Sequence, residues 1–319
     1  MRRENAAFFK LAAEKPLCYN KNNRKPVFLK SKELFYMPNP MILFPGGRKK
    51  ALTLSYDDGV EQDMRLIEIM NRSGLKGTFN INSGEYAPEG TVYPAGRVHR
   101  RMTEAQVTAL YKDSGHEIAT HGLTHPVLER LPLNLATYEV MKDRENLEAQ
   151  FDTIVRGHAY PYGTYNDNVV DILKNCGIVY ARTVETTGRF DLPVDWLRLK
   201  ATCHHDDPKL QELTDQFLDD DEKLPPFARR SKFFYMWGHS YEFEGNDNWN
   251  VIENFAARVG NRSDVWYCTN IEAYDYIEAF RSLLFSVDGK RVQNPSAQTV
   301  WFTHLDRDVK LAPGESMTF

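Results

Sequence analysis

From residue 50 onward, strand-like segments alternate with helix-like segments, and this alternation restricts the fold more than any other feature of the sequence. The strand-like runs recur about every 25–40 residues, and several are followed by an amphipathic segment that ends at a glycine, such as Gly74, Gly115 or Gly177. Parallel strands need helical crossovers of this kind between them. About seven or eight such units favour a closed barrel over an open sheet. The sequence therefore predicts an α/β fold built as a (β/α) barrel.

These elements divide the chain into three parts. We expect an N-terminal arm over residues 1–49, the barrel over residues 50–282, and a small β appendage over residues 283–319, where Asp288-Gly289 is a hairpin signal. The predicted strands are residues 51–56, 78–81, 117–120, 153–156, 178–183, 233–237, 265–268, 299–305 and 309–319. The predicted helices are a segment capped at Thr103 and residues 61–73, 135–151, 169–175, 210–218, 250–258 and 271–280.

Composition excludes several classes of protein. The 319 residues carry 40 Lys and Arg against 44 Asp and Glu, a net charge of −4, which argues against a nucleic-acid binder steered by bulk charge. No apolar run approaches the ~18 residues of a membrane span. The four cysteines show no paired metal-site spacing. The N-terminal residues lack the apolar core of a signal peptide, which predicts a cytoplasmic protein, or a secreted one whose leader was removed.

Polar side chains suited to catalysis follow three of the predicted strands. Asp57 and Asp58 follow the first strand, His121 and His125 follow the strand over residues 117–120, and His239 follows the strand over residues 233–237. Each signal alone is common, since Asp-Asp-Gly is a frequent turn and short histidine spacings arise by chance. Together they are informative, because the C-terminal ends of parallel strands meet on one face of the fold.

The residue types fit a hydrolytic metal centre. A catalytic zinc ion takes three protein ligands and keeps one position for water, and Asp58, His121 and His125 would supply such a set. Neighbouring residues at a strand end point to different sides, so one of Asp57 and Asp58 can bind metal while the other accepts a proton. His239 is the candidate for protonating a leaving group.

These segments resemble the sequence motifs of the NodB-type polysaccharide deacetylases of carbohydrate esterase family four. The resemblance spans roughly residues 50–280, and the first two motifs are specific in combination. The matching segments are Leu54-Ser55-Tyr56-Asp57-Asp58-Gly59, His121-Gly122-Leu123-Thr124-His125-Pro126, Pro161-Tyr162-Gly163, Asp195-Trp196 and Trp237-Gly238-His239.

The resemblance implies a distorted (β/α) barrel and metal-dependent removal of acetyl groups from sugars. It implies that Asp57 is the base and that His239 is the acid. It also implies that the Tyr162 backbone N–H helps to hold the oxyanion, and that an aspartate, Asp195 or its rival Asp191, orients His239. The implied metal ligands are Asp58, His121 and His125. The expected ion is Zn²⁺, with Co²⁺, Ni²⁺ and Fe²⁺ as alternatives.

Two departures from the family pattern bear on the site. Ala159 stands where the third motif usually has an arginine that pairs with the base, so we expect a raised pKa for Asp57 relative to the arginine-bearing enzymes. Arg198 or Lys200 could replace that arginine. Gly122 takes the place of a hydroxyl-bearing residue in the second motif.

Aromatic residues near the motifs suggest a glycan cleft, since sugars bind flat aromatic faces together with a few polar groups. The candidate substrate-binding residues are Tyr160, Pro161, Trp237, Tyr241 and Trp249. The run His204-His205-Asp206-Asp207 resembles a cluster of metal ligands but is interpreted as a polar loop.

The function that we predict is therefore a metal-dependent deacetylase acting on an acetylated glycan or amino sugar, with N-acetyl groups preferred. Two alternatives remain open: an O-acetyl xylan esterase or small-amide hydrolase using the same site, and a carbohydrate-binding protein that has lost catalysis. The sequence leaves the oligomeric state undetermined.

Overall fold

The computed structural model describes residues 40–225 and 228–319, so most of the predicted N-terminal arm lies outside the described residues. The strands are β1 (Met41–Leu43), β2 (Lys50–Asp57), β3 (Gly77–Ile81), β4 (Glu117–Thr120), β5 (Gly157–Ala159), β6 (Tyr180–Thr186), β7 (Leu199–Ala201), β8 (Cys203–His204), β9 (Lys232–Gly238), β10 (Val265–Tyr267), β11 (Leu284–Phe285), β12 (Arg291–Gln293), β13 (Val300–His304), β14 (Arg307–Leu311) and β15 (Ser316–Thr318). The helices are α1 (Asp63–Arg72), α2 (Glu104–Tyr111), α3 (Leu133–Phe151), α4 (Asp167–Asn175), α5 (Leu210–Leu218), α6 (Ser240–Gly245), α7 (Asn250–Val259) and α8 (Asn270–Arg281).

A parallel sheet forms the centre of the fold, with β2 in its middle. Strands β3, β4, β5, β6 and β7 follow on one side of β2, and β9 and then β8 on the other. Every residue of β2 is buried, as expected for a strand covered on both faces. The predicted α/β fold is confirmed.

The sheet closes through one irregular strand. Strand β7 pairs with β6, β8 pairs with β9, and Thr202 alone separates β7 from β8. The Thr202 backbone N–H donates to the carbonyl oxygen of Tyr235 in β9 over 2.7 Å. The chain therefore passes from the β6 edge to the β9 edge within a few residues, which gives a distorted barrel.

The strand predicted over residues 309–319 divides into β14 and β15, and one further predicted strand begins later than expected. The strand predicted over residues 153–156 begins later, at Gly157, because α3 ends at Asp152 in a left-handed conformation (φ 51°) and the next residues turn the chain back. Strand β10 lies beside the first half of β2, along the edge that β3 occupies beside the second half.

The C-terminal residues form two three-stranded antiparallel sheets, β1-β13-β14 and β11-β12-β15. The first includes β1, which precedes the barrel in the sequence, and Met41 is the register partner of Thr303. The Tyr276 hydroxyl on α8 donates to the carbonyl oxygen of Leu43 and accepts the Trp301 N–H. These contacts fix β1 and β13 against α8.

None of the helices in the described part of the chain combines the length and the apolar character that a membrane crossing requires.

Candidate active site

The C-terminal ends of β2, β4 and β9 bring their polar side chains together. Asp57 is the last residue of β2, His121 directly follows β4, and His239 directly follows β9. Two ring nitrogens face one carboxylate oxygen: the Nε2 atoms of His121 and His239 lie 3.8 and 3.7 Å from Asp57 Oδ2. His121 Nε2 is also 3.9 Å from Asp58 Oδ1. Parallel pairing thus places these three strand ends within contact distance of one another.

Asp58, His121 and His125 could hold a metal ion, since one ligand atom from each lies within 4.8 Å of the other two. The His121 Nδ1–H donates to the carbonyl oxygen of Ala159 over 2.8 Å, which leaves Nε2 with its lone pair toward Asp58. Burial lowers the pKa of His121, and it lowers that of His125 to about 4, so both rings are neutral at pH 7. Neutral imidazoles are the form that binds metal.

The loops that carry these groups contain non-glycine residues in the left-handed region. Asp58 (φ 85°), His125 (φ 53°) and Tyr162 (φ 58°) all adopt positive φ. Such strain concentrates at functional sites, where the surrounding structure holds it in place. Gly122 also has a positive φ, and an added Cβ would lie 3.2 Å from Pro126 and 3.3 Å from Pro161, so the backbone favours the glycine found there.

Arg182 supplies the cation beside Asp57, and the suggestion that Arg198 or Lys200 would do so is wrong. The Arg182 guanidinium donates to Asp57 Oδ2. Arg198 instead pairs with Asp167 and Asp195, and Lys200 pairs with Glu185, at 2.6–2.8 Å.

The position of Arg182 explains why Ala159 is compatible with this arrangement. Arg182 lies on β6, and its register partner on β5 is Ala159, the position of the motif arginine. The cation is therefore carried one strand further along the sheet. Its guanidinium carbon lies 4.4 Å from the centre of the Trp237 ring, so the Arg182 side chain is held between that ring and the carboxylate.

The expectation of a raised pKa for Asp57 changes accordingly. Burial raises the pKa of the Asp57 carboxyl, but the charges of Arg182, His121 and His239 outweigh burial, and the net pKa lies below its ordinary value. Asn80 adds a hydrogen bond from Nδ2 to Asp57 Oδ1 over 2.8 Å. Asp57 is therefore a carboxylate at neutral pH.

Glu242 contacts Nδ1 of His239. From the sequence, Asp195 or Asp191 is the residue expected to make this contact and to orient the ring. Glu242 Oε1 lies 3.2 Å from His239 Nδ1, and Oε2 accepts the His239 backbone N–H over 3.3 Å. Burial lowers the pKa of His239, but Glu242 and the nearby Asp57 raise it to a net value above the ordinary one. Asp195 caps a short turn and pairs with Arg198, and Asp191 pairs with Arg189.

Two residues near the metal ligands were not foreseen. His99 Nε2 lies 3.3 Å from Asp58 Oδ2, and Arg101 lies 3.2 Å from Asp58 Oδ1 while also donating to the Asp58 backbone oxygen. Together they keep the pKa of Asp58 below its ordinary value despite burial. Neither follows a predicted strand end, so the pattern that found the other residues does not find these.

The aromatic candidates occupy different environments. Tyr160 is only 1% exposed and its hydroxyl donates to the Leu197 carbonyl oxygen, so the structure places it in the core instead of a cleft floor. Pro161 and Trp237 are also buried. Tyr241 is half-buried, with its ring centre 5.1 Å from that of His239. Tyr162 is 60% exposed, and its ring lies against His125.

Trp249 lies with the helices that flank the site. Its ring packs on Phe243, and the Arg65 guanidinium carbon lies 4.3 Å from the ring centre. Among the candidates, Tyr241 thus combines a ring contact with a site histidine and some solvent exposure, and the Tyr162 ring, which was not among the substrate-binding candidates, does the same.

Comparison with known proteins gives a match to one protein family. The model of the polysaccharide deacetylase family matches residues 45–181. No curated protein matches the sequence significantly. A Mycobacterium smegmatis protein provisionally named as a polysaccharide deacetylase shares the fold at a TM-score of 0.51 and 16% identity, covering 76% of this chain and 95% of that one.

Two further solved structures are similar at lower scores. The deacetylase PplD of Streptococcus pyogenes, in complex with acetate, has a TM-score of 0.37 and 21% identity. The match covers 41% of this chain and 55% of that protein. A family 4 pseudoenzyme from Bacillus anthracis has a TM-score of 0.42 and 18% identity over 70% of this chain and 65% of its own. The matched residues 45–181 contain Asp57, Asp58, His121 and His125, so this part of the chain is similar to the polysaccharide deacetylase family.

Proposed function

We propose that the chain is a metal-dependent hydrolase that removes acetyl groups from a carbohydrate, with N-acetyl amino sugars preferred. The observation that carries this proposal is the composition of the site. A potential three-ligand metal group lies next to a buried carboxylate, and a histidine faces that carboxylate from the end of the neighbouring strand β9. A water-activating centre with a separate base and acid is what amide or ester hydrolysis requires.

The residues fit a divalent ion. Asp58 Oδ1 is buried and makes no hydrogen bond with the described residues, although the Arg101 guanidinium forms an ion pair with it at 3.2 Å. His121 Nε2 is left as an acceptor by the bond from Nδ1 to Ala159. Two imidazoles and one carboxylate suit Zn²⁺, and they also accept Co²⁺, Ni²⁺ or Fe²⁺. Bound there, the ion supplies Lewis acidity toward an acetyl carbonyl and favours ionisation of water.

Asp57 is the proposed base. Arg182 and Asn80 hold its carboxylate in place and keep it ionised, so that it can accept the proton of the attacking water. The oxygen of that water bonds to the acetyl carbon, and the Tyr162 backbone N–H is the proposed donor to the oxyanion that forms. The left-handed backbone at Tyr162 gives this N–H a direction that ordinary helical or extended backbone does not.

His239 is the proposed acid. Its raised pKa keeps a proton available near neutral pH, and Glu242 holds the ring with Nε2 toward Asp57. When the carbon–nitrogen bond breaks, this proton goes to the departing amine, and acetate is the second product. Asp57 then gives its proton to solvent and His239 takes one up from solvent, so both groups regain their starting protonation states.

Acetate release from N-acetylglucosamine oligomers tests the proposal. We expect release by the metal-loaded protein, loss on chelation, and a loss of about 10²–10⁴-fold in the Asp57→Asn variant, the usual contribution of a positioned base. Acetylated xylan and a small N-acetyl amide are assayed in parallel, so that a preference for either identifies the alternative substrate class. Glycan binding without acetate release from any of the three would indicate a binding protein and contradict the proposal.

A further inference from the structure

A second group of metal-ligand side chains lies behind His239, and it shares no residue with the first. One ligand atom from each of its four members lies within 4.8 Å of the others. The members are His204, His205, Asp206 and Glu242. His204 ends β8, and Glu242 lies on α6, so a strand end and a helix on either side of β9 meet here.

The environment of His205 distinguishes this group from an ordinary polar loop. The residue is 1% exposed, and neither ring nitrogen makes a hydrogen bond with any of the described residues. Its ring is stacked between Tyr56, at 5.9 Å between centres, and Phe243, at 4.1 Å. A buried polar atom left without a partner costs about 1–3 kcal/mol, so a fixed imidazole of this kind calls for a ligand.

The separations between atoms fit a metal ion better than they fit hydrogen bonds. His205 Nε2 lies 3.2 Å from Glu242 Oε2 and 3.6 Å from Asp206 Oδ1, yet neither contact has hydrogen-bond geometry. Ligand atoms bound tetrahedrally at about 2.1 Å are separated by about 3.4 Å. The nitrogen therefore lies at about this separation from each of the two carboxylate oxygens.

Surrounding residues hold the ligands in position. The amides of Asn246 and Asn248 each donate to Asp206 over 3.3 Å. His204 Nδ1 accepts the Asp206 backbone N–H, so a ring proton lies on Nε2, 3.2 Å from Glu242 Oε2. His204 thus supports Glu242, and the three ligand atoms come from the other members.

The group of His204, His205, Asp206 and Glu242 is accessible from solvent, and the position of its buried histidine requires a glycine at residue 238. His205 and Asp206 line a cavity of about 520 Å³, which gives an ion a path from solvent. At Gly238 an added Cβ would lie 2.0 Å from His205 Nδ1, so His205 can occupy this position only beside a glycine. Glu242 Oε1 contacts His239, and therefore one carboxylate connects the group to the candidate acid.

We propose that His205, Asp206 and Glu242 form a second divalent-cation site that takes Zn²⁺ or a similar transition metal. A buried imidazole with two carboxylates suits these ions better than Ca²⁺, which prefers oxygen ligands throughout. This site is additional to the one in the proposed function and does not depend on it.

Metal stoichiometry of the full-length, tag-free protein tests the site. The protein is stripped with chelator, and Zn²⁺ binding is measured by titration calorimetry and by elemental analysis after dialysis. We expect two equivalents for the wild type, one for His125→Ala, one for Asp206→Asn, and none for the double variant. Asp207→Asn is the matched control, since Asp207 lines the same cavity but lies outside the group, and it should keep two equivalents.

A spectroscopic readout covers the case in which a variant folds poorly. With Co²⁺, the second equivalent should add absorption bands of a four-coordinate ion in the wild type and Asp207→Asn, and His205→Gln should lose them while circular dichroism stays native. One equivalent in the wild type that persists in Asp206→Asn and is lost in His125→Ala, or two with unchanged affinities in Asp206→Asn, would overturn the proposal. Two metal equivalents in the wild type without acetate release would support the second site and contradict only the proposed function.

Discussion

The two sides of the candidate active site are built in different ways. The metal wall consists of Asp58, His121 and His125, which come from two short loops whose backbone is fixed locally. The acid wall consists of Arg182, Trp237, His239 and Glu242, which are held mainly by contacts between side chains.

This difference determines how each wall is expected to respond to mutation. Ligands on the metal wall are positioned by the backbone, through positive φ at Asp58 and His125 and the bond from His121 to a carbonyl. Loss of a ligand there removes a function without disturbing its neighbours. On the acid wall each charge stabilises another, so a substitution changes the pKa of the remaining groups.

The largest effect should come from the metal wall. His125→Ala leaves two ligands, and we expect acetate release to fall by about 10³-fold or more, together with loss of one metal equivalent. Thr124→Ala is the control. It removes a side chain of the same loop whose hydroxyl donates a hydrogen bond to Glu139, and it should retain activity. Equal activity in the two variants would show that His125 is not a metal ligand.

The second effect concerns the cation of the acid wall. Arg182→Met leaves Asp57 buried without its charge partner, and breaking such a pair costs about 3–5 kcal/mol of stability. The pKa of Asp57 should rise, so the base is protonated up to a higher pH and the acidic limb of the kcat/KM profile shifts upward. Arg198→Met, which removes a half-buried arginine paired with Asp167 and Asp195, should leave that limb in place.

Restoring the cation from the neighbouring strand sharpens this test. Ala159 and Arg182 are register partners, so Arg182→Ala combined with Ala159→Arg moves the guanidinium to the usual motif position. We expect the double variant to recover part of the activity lost in Arg182→Ala. If the double variant recovers nothing while its thermal melt is restored, pairing with Asp57 is not what the cation contributes.

A smaller effect should follow from Glu242→Gln. The glutamate raises the pKa of His239, and the acid form of the histidine is lost as pH rises through that pKa. Removing the negative charge should therefore move the alkaline limb of the kcat profile to lower pH, by about one unit for an interaction of about 1.4 kcal/mol. An unchanged limb would mean that another group donates the proton.

The sequence predicts that the residues of the metal wall lie close together, because the information for this is local. Each ligand follows a predicted strand, and parallel strands bring their C-terminal ends together. The fold class follows from the same alternation. Strand β1 could not be assigned to the C-terminal sheet in this way, because its pairing with β13 joins residues more than 250 positions apart.

The acid wall was harder to predict, although the sequence does carry two signals for it. Arg182 lies inside a predicted strand, and a charge within a buried strand needs a partner. Glu242 lies three residues after His239, the spacing of a capping box at a helix start. What the sequence does not give is the register between β5 and β6, which decides that Arg182 can replace an arginine at residue 159.

The smallest effect should come from the residue first expected to orient His239. Asp195 contacts the Leu197 N–H and Arg198, and its side chain is 48% exposed. Asp195→Asn removes an exposed ion pair, which contributes about 0–1 kcal/mol, so kcat and its alkaline limb should both stay within experimental error of the wild type. A shift of that limb comparable to the one in Glu242→Gln would return the positioning role to Asp195, and the acid wall would then extend to the turn after β6.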